Sequence, residues 1–171
     1  MDIDLIKNKI RNIPNFPMPG IQYKDITPLL QNYETFQGVI SLFSEEFSRK
    51  KIDVIVGIES RGFIFAAPLA LKLECSFALA RKKGKLPYKV VSQNYELEYG
   101  TDTLEMHVDG IEKDQNVLII DDLLATGGTA EAVGSLVNQL GGNIVSYAFM
   151  IELTDLKASE KINPLFSLIK Y

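Results

Sequence analysis

Residues Val117 to Ala130 read VLIIDDLLATGGTA. Val117, Leu118, Ile119 and Ile120 form a short run that is apolar on both faces, as a strand inside a covered parallel sheet must be. Asp121 and Asp122 follow at the expected strand end. Ala125, Thr126, Gly127, Gly128 and Thr129 then make a turn of small residues, and Thr129 to Leu140 reads as a helix closed by Gly141 and Gly142. In open α/β sheets ligands bind just beyond the carboxyl ends of the strands. Small side chains there let main-chain N–H groups close around an anion, and the helix N-terminus adds its positive end. The two carboxylates would repel a bare phosphate. They fit a phosphate carried on a sugar whose neighbouring hydroxyls they accept.

Working outward, the same grammar recurs. Val54 to Ile58 is a second wholly apolar run, followed by the polar turn Glu59-Ser60-Arg61-Gly62 and a buried helix from Phe63 to Leu73. Phe77 to Ala80, Ile144 to Ile151 and Phe166 to Ile169 supply further short strands. Strands alternating with helices predict an α/β fold: one domain over residues 1–171, a mostly parallel twisted sheet with helices on both faces. At the start, Ile3, Ile6, Ile10 and Ile13 predict one amphipathic helix, which Pro14, Pro17, Pro19 and Gly20 break into an extended segment. Tyr33 to Lys50 predicts a helix with Phe36, Val39, Ile40, Phe43 and Phe47 on one face. Residues 91–106 read as a hairpin or lid outside the core.

Composition narrows the function. The net charge of −4 over 171 residues opposes a large nucleic-acid surface. One cysteine, Cys75, and one histidine, His107, make neither a disulfide nor a Cys/His zinc site. The opening MDIDLIKNKI lacks the plan of a secretory leader, and no apolar run reaches membrane-spanning length. A cytoplasmic protein without membrane or nucleic-acid partners is expected. The other phosphate motifs fail on spelling: Gly84-Lys85 is followed by Leu86, and no GxGxxG follows a strand. A serine-hydrolase elbow centred on Ser60 would need glycine at 58, where Ile58 stands.

The string Asp121-Asp122-Leu123-Leu124-Ala125-Thr126-Gly127-Gly128-Thr129 resembles the phosphoribosyl-pyrophosphate (PRPP) motif of the type I phosphoribosyltransferase family. FPMPGIQYKDITPLL, GIESRGFIFAAPLA, RKKGKLP and YELEYGTDTLEMH extend the likeness over nearly the whole chain, toward the branch that uses adenine. The resemblance implies transfer of a 5-phosphoribosyl group from PRPP to adenine, giving AMP and pyrophosphate in purine salvage. It implies a homodimer, and Mg²⁺ held mainly by substrate oxygens rather than directly by protein. Asp121, Asp122 and Ala125 to Thr129 would hold the 5-phosphate and ribose. Glu59, Ser60 and Arg61 match a turn that in the family carries a strained peptide link and binds pyrophosphate. Arg81, Lys82, Lys83 and Lys85 would share that load.

Glu96, Glu98 and Glu105 are equal candidates for acid/base work by composition. The likeness points to Glu98, beside Tyr99 and with Gly100 as hinge, and adds Arg61 to the catalytic set. Gln22, Tyr23 and Lys24, within residues 1–32, match the base-binding stretch. There the chain departs from the pattern, which commonly has arginine at Lys24 and a β-branched residue at Gln22. Two other readings share the motif: a transferase for another base such as hypoxanthine, and a PRPP-sensing regulator, which would need an added DNA-binding module.

Overall fold

The computed structural model describes residues 2–97 and 100–171. In chain order the elements are α1 Ile3–Lys7, β1 Arg11–Pro14, β2 Gln22–Asp25, α2 Thr27–Leu30, α3 Tyr33–Phe47, β3 Val54–Ile58, α4 Gly62–Leu73, β4 Ser76–Lys82, β5 Val90–Leu97, β6 Gly100–His107, β7 Asn116–Leu124, α5 Gly128–Gln139, β8 Asn143–Glu152 and β9 Leu165–Lys170. Seven strands form the main sheet in the order β5-β6-β4-β3-β7-β8-β9. The five from β4 to β9 run parallel, and the β5–β6 hairpin joins their edge antiparallel through Arg81 opposite Glu105 and Lys82 opposite Leu104. The α/β reading of a mostly parallel sheet therefore holds.

The two central strands contain the residues that water rejects most strongly. Val54, Ile55, Val56, Leu118, Ile119 and Ile120 are all buried, half facing each layer. One layer packs α5 residues Ala132, Val133, Leu136 and Val137 against Val56, Ile119 and Phe149. The other packs Phe43 and Phe47 of α3 and Phe65 of α4 against Ile55, Leu118 and Met150. Each of those rings contributes about 2–3 kcal/mol by leaving water. Asn32 caps α3 by accepting the Thr35 N–H at 2.9 Å.

Three expectations are corrected. The helix over Ile3 to Ile13 is two elements: α1 ends at Lys7, and Ile13 lies in β1, paired with Tyr23 of β2. The isoleucine spacing fits either structure, but Asn8, Asn12, Pro14 and Asn15 favour ending the helix and turning the chain. The strand predicted to stop at Ile120 continues to Leu124 because β8 pairs with it that far, so both aspartates sit within it. The 91–106 hairpin is partly core: Leu104 and Met106 are fully buried where β6 joins β4.

Candidate active site

Chain order reverses between β3 and β7. From β3 the chain proceeds to β4 on one side, and later returns to lay β7 on the other. Such a switch point leaves a crevice outside the strand ends, because the following segments diverge. Glu59 to Gly62 leaves β3 there, and the 125–129 turn leaves β7 beside it. Gly62 allows the close approach: a methyl group on it would lie 2.7 Å from the Ile120 carbonyl oxygen and 3.1 Å from Asp121 Oδ1. The Glu59–Ser60 peptide bond is cis.

At the turn, Gly127 adopts φ of +85° and α5 begins at the next residue. A side chain at 127 would strain that conformation. The turn walls a cleft of about 90 Å³ together with Asp121, Leu124, Thr129 and Phe149. Asp121 lines this cleft, and Asp122 turns to the opposite face, where its carboxylate is 4% exposed and pairs with Arg61 Nε at 3.0 Å. Burial, and then the neighbouring Asp122 charge, push the Asp121 carboxyl well above its usual range. Burial also raises Asp122, with the Arg61 guanidinium pulling the other way.

Arg61 reaches further. It donates to the Tyr23 hydroxyl, and its guanidinium carbon lies 5.3 Å from the centre of the Tyr23 ring. One side chain thus joins Asp122 to Tyr23. The other predicted base-binding side chains are also engaged. Gln22 Oε1 accepts from Asn12 at 2.7 Å, and Lys24 Nζ lies over the Tyr171 ring. Arg11 secures the ribbon by donating to Asp25 at 2.7 Å, and the Thr27 hydroxyl donates to Asp25 at 2.5 Å. Those bonds lower the Asp25 carboxyl to about 2. Among the described residues β2 pairs only with β1, so its outer main-chain edge has no strand partner.

The basic run is tied to carboxylates. Arg81 and Lys82 still belong to β4, and the loop begins at Lys83. Glu59 accepts from Arg81 Nε at 3.2 Å and from the Lys82 main-chain N–H at 2.9 Å, with Lys85 Nζ 3.9 Å away. Burial alone would raise the Glu59 carboxyl, but these donors outweigh it and hold it below its usual range. Lys82 Nζ pairs with Asp102 Oδ2 at 3.1 Å, and Tyr95 donates to the same carboxylate at 3.3 Å. Lys83 makes no ion pair among the described residues. Asp102 escaped the sequence reading; the pairing of β5 with β6 sets it opposite Tyr95.

The hairpin covers α5. A methyl group on Gly128 would lie 3.4 Å from the Glu96 carbonyl oxygen, and Gln139 donates to Gln93 at 3.1 Å. Of the three candidate glutamates, Glu105 is buried and accepts the Gly84 N–H at 2.9 Å, a structural post, and Glu96 is exposed on β5. Glu98 and Tyr99 lie outside the described residues. No group of three or more His, Cys, Asp or Glu suited to a metal occurs among the described residues. Asp121 and Asp122 offer two carboxylates at the crevice, which fits a cation carried mainly by phosphate oxygens.

This crevice at a switch point, with an anion-cradling turn after twin aspartates, defines a phosphoribosyltransferase, and the chain belongs to that family: residues 25–166 match the Phosphoribosyl transferase domain. Among its relatives is an adenine phosphoribosyltransferase of Actinobacillus succinogenes, 54% identical over 160 residues that cover 94% of this chain and 89% of the relative. A crystal structure of adenine phosphoribosyltransferase from Thermoanaerobacter pseudethanolicus superposes with a TM-score of 0.97, at 46% identity over 99% of this chain and 100% of the other. The Saccharomyces cerevisiae enzyme, complexed with adenine and an imino-altritol bisphosphate, gives 0.93 at 44% identity over 97% of each chain.

Proposed function

We propose that this chain is an adenine phosphoribosyltransferase, moving the 5-phosphoribosyl group of PRPP onto adenine to give AMP and pyrophosphate in purine salvage. The observation that carries the reading is the small-residue turn that walls a cleft with Asp121, beside Arg61, which links Asp122 to Tyr23. The close likeness to adenine phosphoribosyltransferases supports the choice of base.

Each group has a chemical task. The main-chain N–H groups of residues 126–129 hold the 5-phosphate at the start of α5, and Thr126 and Thr129 add hydroxyls. Asp121 and Asp122 accept from the ribose hydroxyls. Arg61, with Ser60 beside it and the Arg81–Lys85 run, stabilises charge growing on the leaving pyrophosphate. Glu59 does not touch that anion, which its own charge repels; it gathers Arg81 and Lys85. When bound, Mg²⁺ supplies further charge neutralisation on the phosphate oxygens. The main-chain edge of Gln22 to Lys24 reads the purine and Tyr23 packs against it. Glu98, with Tyr99 beside it, exchanges a proton with the imidazole side of adenine and keeps the attacking nitrogen nucleophilic.

Residues 1–32 act as the base-binding segment and 91–106 as the lid of a single domain over 1–171. A homodimer is proposed, supported by the exposed apolar side chains Leu71 on α4 and Phe77 on β4. The free thiol of Cys75 suits a reducing cytoplasm. No helix among the described residues is long and apolar enough to cross a membrane. AMP formation from adenine, PRPP and Mg²⁺ tests the reading, with hypoxanthine, guanine, xanthine and orotate as controls. A wide preference for another base would overturn the choice of adenine.

A further inference from the structure

We infer that Tyr171 is a positioning residue for the base-binding strand β2, which it holds in place through Lys24. The assignment rests on the reading of β2 as the adenine-binding edge. The β1–β2 ribbon lies outside the seven-stranded sheet and has no strand neighbour there. Its place over the crevice therefore depends on side chains reaching to the body of the protein. Consecutive residues of a strand point to opposite faces. On one face Tyr23 is held by Arg61. On the other, Lys24 places its ammonium 3.9 Å from the centre of the Tyr171 ring, well inside the ~6 Å reach of a cation–π contact. Arg61 and Tyr171 thus hold β2 from opposite faces.

The Tyr171 end of this grip is fixed by the sheet. The Tyr171 N–H donates to the Glu152 carbonyl at 2.9 Å, and its own carbonyl accepts the Thr154 N–H at 2.9 Å and the Thr154 hydroxyl at 2.7 Å. Glu152 ends β8 and Tyr171 follows β9, so the ring stands at the carboxyl edge of the sheet, where the crevice opens. The ring is half-buried against the layer that contains Ile6 and Phe43. Lys7, in the last turn of α1, brings its ammonium to 4.9 Å from the same ring centre. Both N-terminal elements thus converge on one aromatic surface that is itself anchored by the last two parallel strands. Moving that surface moves the edge that reads the base, and leaves the phosphate loop on β7 untouched.

The test is steady-state AMP formation by the full chain, varying adenine at saturating PRPP and PRPP at saturating adenine. Tyr171→Leu is expected to raise KM for adenine about five- to tenfold and to keep KM for PRPP within about twofold. Tyr171→Phe keeps the ring and stays within about twofold of the parent on both. Lys24→Met raises the adenine KM by a similar factor, and combining it with Tyr171→Leu adds nothing further. Unchanged adenine KM in Tyr171→Leu, an equal rise in both KM values, or additive effects in the double variant overturns the role. Should Tyr171→Leu not fold, Lys24→Met carries the test, and an unchanged adenine KM in it overturns the role. A parent chain that forms no AMP overturns the adenine reading and this role with it. Normal turnover by the parent combined with any of the failures above removes Tyr171 alone.

Discussion

Arg61 Nε lies 3.0 Å from Asp122 Oδ2, across the line where β3 and β7 diverge. The same guanidinium donates to the Tyr23 hydroxyl, so Asp122 and Tyr23 share one cation. Asp122 Oδ2 is buried and makes no hydrogen bond among the described residues, so the ion pair with Arg61 is its main compensation. A planar fork presents donors toward both partners in a fixed geometry, whereas an ammonium is a compact point charge that lacks that span.

Arg61→Lys should therefore lower kcat/KM for both substrates, by roughly 10- to 100-fold, which is about 1.4–2.7 kcal/mol of transition-state stabilisation. Initial rates with each substrate varied in turn check this. A loss confined to PRPP would separate Arg61 from Tyr23 in function.

Asp121→Asn should stabilise the fold and weaken PRPP use. The carboxyl pKa is raised in the fold above the ordinary 3.8, so the ionised form is disfavoured there. Stability from this group is greatest below the unfolded pKa and is lost as pH rises through the folded value. Asparagine removes that cost and can still accept the Asp122 N–H, now bonded at 2.8 Å. Thermal melts at neutral pH should rise, and the gain should vanish near pH 4. Equal melting at both pH values would contradict it.

Glu59→Gln should raise KM for PRPP several-fold with KM for adenine unchanged, because the carboxylate gathers Arg81 and Lys85 and touches no part of the base site. Since its pKa is held below the usual range, this contribution is present at neutral pH and is lost as pH falls through the lowered value. A PRPP KM that stays constant in the variant would remove Glu59 from the loop's organisation.

Glu98→Gln should lower kcat by ~10²–10⁴ with little change in either KM, the pattern expected when proton transfer alone is lost. Single-turnover kinetics will show whether the slowed step is the chemical one. Unaltered chemistry would assign the proton to another group.

The central strands, the small-residue turn and the twin aspartates were legible because each depends on local chemistry: apolar runs, small turn residues and paired carboxylates within one short string. What escaped depends on contacts between distant residues. The continuation of β7 through Asp122 to Leu124 is decided by its pairing with β8. The β1–β2 ribbon was hidden because Ile10 and Ile13 satisfy a helical period, and the competing signal was a scatter of Asn and Pro. That Lys82 is held by Asp102, and Lys24 by Tyr171, follows from sheet order and cannot be read from either segment alone.

A crystal structure of the chain with AMP tests the central claim most directly. The account predicts the 5-phosphate within hydrogen-bonding distance of the main-chain N–H groups of residues 126–129, the ribose hydroxyls on Asp121 and Asp122, and the purine against Tyr23. A phosphate bound at the Arg81–Lys85 run, or a nucleotide seated away from the β3–β7 crevice, would contradict it.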